Sequence, residues 1–172
     1  RKEIGAIVTA PLHKEALAAA GISYPGHTEL LQAQAAAFLG KTVSDVPVRM
    51  MLANDELRTV LLSIHVALRD AIDAVTPENL LETLRITHES VGALLQRAPR
   101  IGVAGLNPHA GEGGLFGREE IDIIAPTIET ARRAGMDVSG PFPPDTVFMR
   151  ARAAAGEPGE FDVVIAMYHD QG

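Results

Sequence analysis

The chain has 172 residues, of which 47% are hydrophobic and 22% are charged, proportions that are ordinary for a globular fold. The formal net charge of −7 and the lack of any run of Lys or Arg argue against nucleic acid or an anionic membrane as a partner. The absence of Cys excludes disulfides and zinc–thiolate sites, and no apolar run is long enough to span a bilayer.

The first quarter of the chain predicts a strand, two helices and a polar loop. Ile4 to Thr9 is apolar and rich in β-branched residues, which favours a buried strand. His13 to Ala20 is typical of a short helix closed by Gly21 as a left-handed cap. The loop "SYPGHTE" follows, and a helix is then predicted from Thr28 to Leu39, with Thr28 able to cap it.

The middle of the chain predicts a hairpin and two helices. Val48 to Leu52 and Arg58 to Ile64 are interpreted as two strands around "ANDE". Leu68 to Val75 favours a short helix, and Thr76 followed by Pro77 is a strong signal for the start of a longer one. The apolar positions of that longer helix lie on one stripe, namely Leu80, Leu81, Leu84, Val91, Leu94 and Leu95. His88 lies on the same stripe, which predicts a packing role for it.

The last third alternates again between strands and a helix. Ile101 to Gly105 is a predicted strand, and a helix is predicted from about Glu119 to Ala134. We interpret "SGPFPPD" as a rigid turn region and Phe161 to Met167 as the last strand. Strands that alternate with helices predict an α/β fold with layers around a largely buried sheet.

Three of the predicted strands are followed closely by a histidine: His65 in "LLSIHVALRD", His109 in "GLNPHAGE" and His169 in "AMYHDQG". Ligands of α/β proteins collect beyond the carboxyl ends of the strands. Three imidazoles brought together there would hold a divalent transition metal. The alternative is that each is an isolated structural histidine, because the spacing is too long for a local metal motif.

The glycine-rich stretch "GEGGLFG" is similar to a dinucleotide fingerprint but fails its register, because the third required glycine falls on Phe116. A standard Rossmann loop is therefore not expected. The remaining choices are a flexible connection between a strand and a helix, or a loop that lets a ligand approach the backbone.

His27 and Thr28 stand at a predicted helix start, where free N–H groups and a hydroxyl can bind a phosphate or carboxylate. The alternative is that Thr28 only caps the helix and His27 is a surface residue. His13 and Lys14 could reach a site from a strand end, and a solvated helix start explains them equally well.

The chain begins without Met and ends directly after a strand has delivered a polar loop. We therefore expect an internal piece of a longer two-domain protein, with residues 1–24 finishing the first domain and 25–172 forming most of the second. No signal peptide opens the chain, and the lack of Cys fits a reducing compartment, so a cytoplasmic protein is expected.

The chain resembles the 4-hydroxythreonine-4-phosphate dehydrogenase family of vitamin B6 biosynthesis along essentially its whole length. The resemblance runs, in family order, through "VTAPLHKEAL", "GISYPGHTE", "IHVALRDAIDAVTPENL", "RIGVAGLNPHAGEGGLFGREEIDIIAP", "GPFPPDTVF" and "AMYHDQG". The blocks "GLNPHAGEGG" and "MYHDQG" are highly specific. The family is similar in fold to the isocitrate and isopropylmalate dehydrogenases, a three-layer α/β fold that binds NAD without a Rossmann loop.

By this resemblance, His65, His109 and His169 match the three metal ligands, and His27 with Thr28 match the substrate-binding pair. The resemblance implies NAD or NADP, a divalent metal (Zn, Mg, Co or Mn) and a homodimer whose two subunits share each site. The implied reaction oxidises the secondary hydroxyl of 4-hydroxythreonine 4-phosphate. Decarboxylation then gives 3-amino-2-oxopropyl phosphate.

Two departures from the family pattern keep other interpretations open. The chain has "SIH" at 63–65 where the family resembles "TTH", and its middle third looks closer to the sister enzymes that act on D-threonate or D-erythronate 4-phosphate. Those enzymes yield dihydroxyacetone phosphate. The family's remaining substrate-binding Lys, Asn and Arg follow the "YHDQG" block, so this piece alone is expected to be catalytically inactive.

Overall fold

A computed structural model describes residues 5–11, 13–22, 24, 26–152 and 157–172. The chain forms two compact units, residues 1–48 and 49–172. The predicted domain boundary near residue 24 concerns the complete protein and stays a prediction.

The described residues of the first unit form two helices, α1 (Lys14–Ala19) and α2 (His27–Leu39), and a short 3₁₀ turn (Val43–Asp45). The predicted strand from Ile4 to Thr9 is wrong where it is described, since residues 5–9 form no strand, and Ile4 lies outside the described residues. A strand needs a neighbour to satisfy its N–H and C=O groups. No described residue pairs with this segment, and Val8 is 96% exposed.

The ends of the two helices test two capping predictions. Gly21 has φ +75° and follows α1, which confirms it as a left-handed cap. Thr28 as the cap of α2 is wrong, because the helix begins at His27 and Gly26 occupies the N-cap position. Glycine is accepted at an N-cap, and Thr28 therefore lies inside the first turn.

The second unit is built on a five-stranded sheet in the order β1-β2-β5-β3-β4. The strands are β1 (Met50–Ala53), β2 (Arg58–Leu61), β3 (Ile101–Ala104), β4 (Val138–Phe142) and β5 (Val163–Ala166). β1 pairs antiparallel with β2 and confirms the predicted hairpin, whereas β2, β5, β3 and β4 run parallel. The carboxyl ends of these four strands therefore lie at one edge of the sheet.

Helices cover both faces of the sheet and give the three layers expected of the fold. The helices are α3 (Leu68–Asp73), α4 (Pro77–Leu95), α5 (Ala125–Arg133) and α6 (Pro144–Ala151). One face packs against α4 and α5 through a large apolar cluster that includes Leu84, Val103 and Ile128. The other face packs against α6 through a smaller cluster around Val147 and Val164.

The start of α4 is as predicted. The side-chain oxygen of Thr76 accepts a hydrogen bond from Asn79 N at 3.2 Å, and Pro77 occupies the first helical turn. The apolar stripe is buried at Leu80, Leu84 and Val91, but Leu94 at its end is 61% exposed.

The segment 138–151 corrects the interpretation of "SGPFPPD" as a turn region. Residues Val138–Phe142 form β4, which pairs with β3, and Pro144 begins α6. β4 is an edge strand, and an edge strand accommodates proline because one side of its backbone has no ladder to complete. Proline within a short strand interrupts the alternation of apolar and polar residues from which a strand is predicted.

Asp162 connects the beginning of β5 to the segment before β3. Its carboxylate accepts hydrogen bonds from the Arg97 guanidinium at 2.7 and 2.8 Å and from Arg100 N at 2.7 Å. The Arg100 side chain adds two more bonds, at 3.0 and 3.2 Å. Burial alone would raise the pKa of Asp162, but the hydrogen bonds from both arginines outweigh it and hold the pKa far below its usual range.

We expect Asp162→Asn to lower the unfolding free energy at pH 7 by about 2 to 3 kcal/mol, because charge-assisted hydrogen bonds to a partly buried carboxylate are lost. A depressed pKa contributes stability above the unfolded value of about 4, and this stability is lost as pH falls further. Urea unfolding between pH 7 and pH 3 should therefore show the difference between parent and variant shrinking with acid. Glu89→Gln, which breaks the exposed ion pair with Arg85, is the control and should change little. A difference that stays constant across this pH range would contradict the prediction.

Candidate functional site

The three strand-end histidines follow neighbouring parallel strands. His65 follows β2, His169 follows β5 and His109 follows β3, and these strands are adjacent in the order β2-β5-β3. All three loops therefore leave the same edge of the sheet, where ligands of α/β proteins bind.

His65 and His169 lie close together at this edge. Their ring centroids are 5.4 Å apart and the ring planes are inclined by 39°. The two rings line an open cleft of about 280 Å³, together with Ser63, Ile64, Val66, Leu68, Ala71, Tyr168 and Asp170. The cleft thus joins the loop after β2 to the loop after β5.

The spacing of the two rings matches that of two imidazoles bound to one divalent metal ion. A metal–nitrogen distance of about 2.1 Å and tetrahedral angles place two ligating rings with their centres about 5 Å apart. In addition, Nδ1 of His169 lies 2.8 Å from Oδ1 of Asp170. A carboxylate at Nδ1 favours the tautomer whose Nε2 lone pair can bind a metal.

Two polar side chains join the three loops, and sequence reasoning did not identify either of them. Ser63 Oγ donates to Met167 O at 2.9 Å, which ties the loop after β2 to the end of β5. Gln171 accepts from Met167 N at 2.7 Å and donates to Gly105 O at 2.8 Å, which ties β5 to the end of β3. Their only signal in the sequence is that each stands two residues from a candidate histidine.

His109 lies in a loop of unusual backbone conformation. Residues 109–113 all have positive φ, at +53°, +53°, +80°, +43° and +67°. Three of them, His109, Ala110 and Glu112, are not glycine. Each non-glycine residue in this region costs roughly 1 to 2 kcal/mol, so the turn needs support from its surroundings.

The support comes from the helix that follows the loop. Glu120 is 3% exposed, and its Oε1 accepts from Leu106 N and Asn107 N, both at 2.7 Å. The Asn107 side chain donates to Glu120 Oε2 at 3.0 Å and to Glu119 Oε2 at 2.6 Å. A π-helical turn, Glu120–Ile124, then leads into α5 and replaces the first part of the helix predicted from Glu119.

The ring of His109 lies 6.4 Å from that of Phe116, and both residues are exposed. Among the described residues, no group of three His, Cys, Asp or Glu side chains is arranged to hold one metal ion. The structure thus brings His65 and His169 together and places His109 in a loop after the neighbouring strand. A site that includes all three histidines stays a prediction.

His27 and Thr28 belong to the first unit, where they are the first two residues of α2. His27 is half-buried and Thr28 is exposed. The N-cap residue, Gly26, has no side chain with which to cap this helix, and Glu29 lies in the first turn. Their role in substrate binding stays a prediction.

Comparison with known proteins identifies relatives along the whole chain. The sequence profile of "Pyridoxal phosphate biosynthetic protein PdxA" matches residues 1–172. A 4-hydroxythreonine-4-phosphate dehydrogenase from Beijerinckia indica is 58% identical over 169 residues, which are 98% of this chain and 46% of the relative. A D-threonate 4-phosphate dehydrogenase from Pectobacterium atrosepticum is 44% identical, over 99% of this chain and 48% of the relative.

A solved structure confirms the fold. The crystal structure of 4-hydroxythreonine-4-phosphate dehydrogenase from Klebsiella pneumoniae superposes with a TM-score of 0.81 at 43% identity, covering 95% of this chain and 45% of that one. The chain therefore spans about half the length of the relatives that it matches. None of the helices in the described ranges is long and apolar enough to cross a membrane.

Proposed function

Because this chain belongs to the PdxA family of pyridoxal phosphate biosynthetic proteins, we propose that the complete protein oxidises 4-hydroxythreonine 4-phosphate with NAD or NADP. Hydride leaves the carbon of the secondary hydroxyl for the nicotinamide, and the hydroxyl loses a proton. The resulting β-keto acid loses carbon dioxide to give 3-amino-2-oxopropyl phosphate. The observation that carries this proposal is the pair His65 and His169, 5.4 Å apart, with His109 after the adjacent strand.

His65, His109 and His169 would hold the divalent ion, which is zinc, cobalt, magnesium or manganese. When bound, such an ion stabilises negative charge on substrate oxygens during oxidation and decarboxylation. The protein's own contribution is to orient these rings, through Asp170 at His169 and through the Ser63 and Gln171 bonds between loops. The nicotinamide carries the hydride, and its binding does not require the Rossmann fingerprint that "GEGGLFG" fails.

We further propose that His27 and Thr28 bind the substrate at the start of α2, and that two subunits share each site. The substrate's phosphate is the kind of anion that free N–H groups at a helix start attract. Exposed apolar side chains follow two of the histidines in the chain, Val66 and Leu68 after His65, and Leu115 and Phe116 after His109. Apolar surface of this kind beside a polar site supports contact with another polypeptide.

The metal-binding proposal is tested by isothermal titration of the full-length protein with zinc, cobalt and magnesium chloride. We expect binding that His109→Ala weakens strongly. If His109→Ala binds each ion as the parent does, the proposed site is wrong.

The second candidate is a D-threonate or D-erythronate 4-phosphate dehydrogenase that yields dihydroxyacetone phosphate. The "SIH" segment at 63–65 and the 44% identical D-threonate 4-phosphate dehydrogenase favour it. Turnover of the amino and deoxyamino 4-phosphates by the full-length protein, followed at the NADH absorbance, separates the two. Equal or reversed preference would overturn the first choice. In the same assay, the 172-residue chain alone is expected to be inactive, and turnover by it would contradict that expectation.

A further inference from the structure

Glu120 is a buried carboxylate that the proposed chemistry does not use. It is 3% exposed, and its hydrogen bonds come from two backbone N–H groups and one amide side chain. Among the ion pairs of the described residues, none joins Glu120 to Lys or Arg. A buried carboxylate is costly unless its oxygens accept hydrogen bonds, and the bonds to Glu120 come from the loop after β3.

The bonds that Glu120 accepts hold the beginning of the His109 loop. Leu106 and Asn107, whose N–H groups it binds, are the residues between the end of β3 and the left-handed turn at 109–113. Two glycines let the loop close onto this carboxylate. A Cβ at Gly105 would lie 3.0 Å from Glu120 Oε1, and one at Gly111 would lie 2.7 Å from Oε2.

We propose that Glu120 is a positioning residue that holds the left-handed turn and so presents the His109 imidazole before any metal binds. This inference rests on the proposed role of His109 as a metal ligand. Both carboxyl oxygens of Glu120 accept N–H donors, and a carboxylate offers acceptors at both positions. An amide in its place would direct an NH₂ group at one of these donors.

The first test is Glu120→Gln in the full-length protein, with Glu119→Gln as the matched control. Glu119 binds the same Asn107 side chain but is not among the acceptors of the Leu106 and Asn107 N–H groups. We expect Glu120→Gln to weaken Co²⁺ binding about 10- to 100-fold, as losses of supporting hydrogen bonds around ligands do, and to alter the visible Co²⁺ spectrum. Without metal, hydrogen exchange at the Leu106 and Asn107 amides should become faster. The control should change Co²⁺ affinity less than about threefold.

A second pair of variants tests the same contact without altering the charge. Gly111→Ala and Gly113→Ala both add a methyl group at positive φ, at +80° and +67°. The methyl group at 111 would lie 2.7 Å from Glu120 Oε2 and 3.1 Å from Gly117 O, whereas nothing lies within 4 Å of one at 113. Gly111→Ala should therefore weaken Co²⁺ binding more than Gly113→Ala does. This pair decides the matter if Glu120→Gln fails to fold.

His109→Ala, measured alongside, separates the inference from the proposed function. If His109→Ala weakens Co²⁺ binding while Glu120→Gln and Gly111→Ala bind as the parent does, the positioning role is wrong and the metal site stands. If Glu120→Gln only lowers the melting temperature, with unchanged Co²⁺ affinity and spectrum, its role is structural and the inference is overturned. If His109→Ala itself binds Co²⁺ normally, the proposed metal site fails.

Discussion

His169→Ala in the full-length protein is expected to reduce affinity for a divalent metal by more than about a hundredfold, because the proposed metal site would lose a ligand rather than one of its supporting bonds. We expect kcat to fall by about a thousandfold or more, which corresponds to roughly 4 kcal/mol of lost stabilisation of charge on the substrate. The ring of His169 lies 5.4 Å from that of His65 and forms a hydrogen bond with Asp170. Titration with Zn²⁺ and steady-state turnover, measured on the same preparation, check the two effects.

The control for this experiment is His88→Gln, which removes an imidazole from the middle of α4, away from the strand-end loops. It should leave metal affinity and kcat close to those of the parent. If His169→Ala retains metal affinity, or if both variants lose it equally, His169 is not a ligand. Asp170→Asn is expected to have an intermediate effect on metal affinity. Loss of a carboxylate beside a ligating ring lowers metal affinity about 10- to 100-fold rather than abolishing it.

Gly140→Ala is expected to destabilise the protein by about 3 to 5 kcal/mol, because it combines an unfavourable backbone conformation with a steric clash. Gly140 lies in β4 with φ +133°, and a Cβ there would lie 2.6 Å from the carbonyl oxygen of Val103 in β3. The obstacle is the backbone of the neighbouring strand, which cannot move aside as a flexible side chain would. Denaturant unfolding measures the loss.

Gly135→Ala separates the two causes of that loss of stability, which are the positive φ and the close contact with the Val103 backbone. Gly135 also has positive φ, +88°, but nothing lies within 4 Å of a Cβ added there. Gly135→Ala should therefore lower the free energy of unfolding only by the cost of alanine at positive φ, about 1 kcal/mol. If the two variants lose the same stability, close packing of β4 on β3 is not what requires glycine at position 140.

Local signals in the sequence predicted much of the second unit. The hairpin around Asn54, the start of α4 at Thr76 and the buried strands β3 and β5 were recognisable because each depends on residues near one another in the chain. The first unit was predicted less well. The apolar segment 5–9 has the composition of a strand, but composition does not provide the neighbouring strand that a sheet requires.

The amino-acid sequence by itself determined the family, the α/β class and the placement of His65, His109 and His169 at strand ends, since these depend on motifs and local periodicity. Only the tertiary structure decided that β2, β5 and β3 are neighbours, that His65 and His169 face one cleft, and that Ser63, Gln171 and Glu120 join or support the loops. The physical reason is that strand order and long-range hydrogen bonds depend on which surfaces pack together. Ser63 and Met167 are bonded across 104 positions of the chain, a distance over which no local pattern carries information.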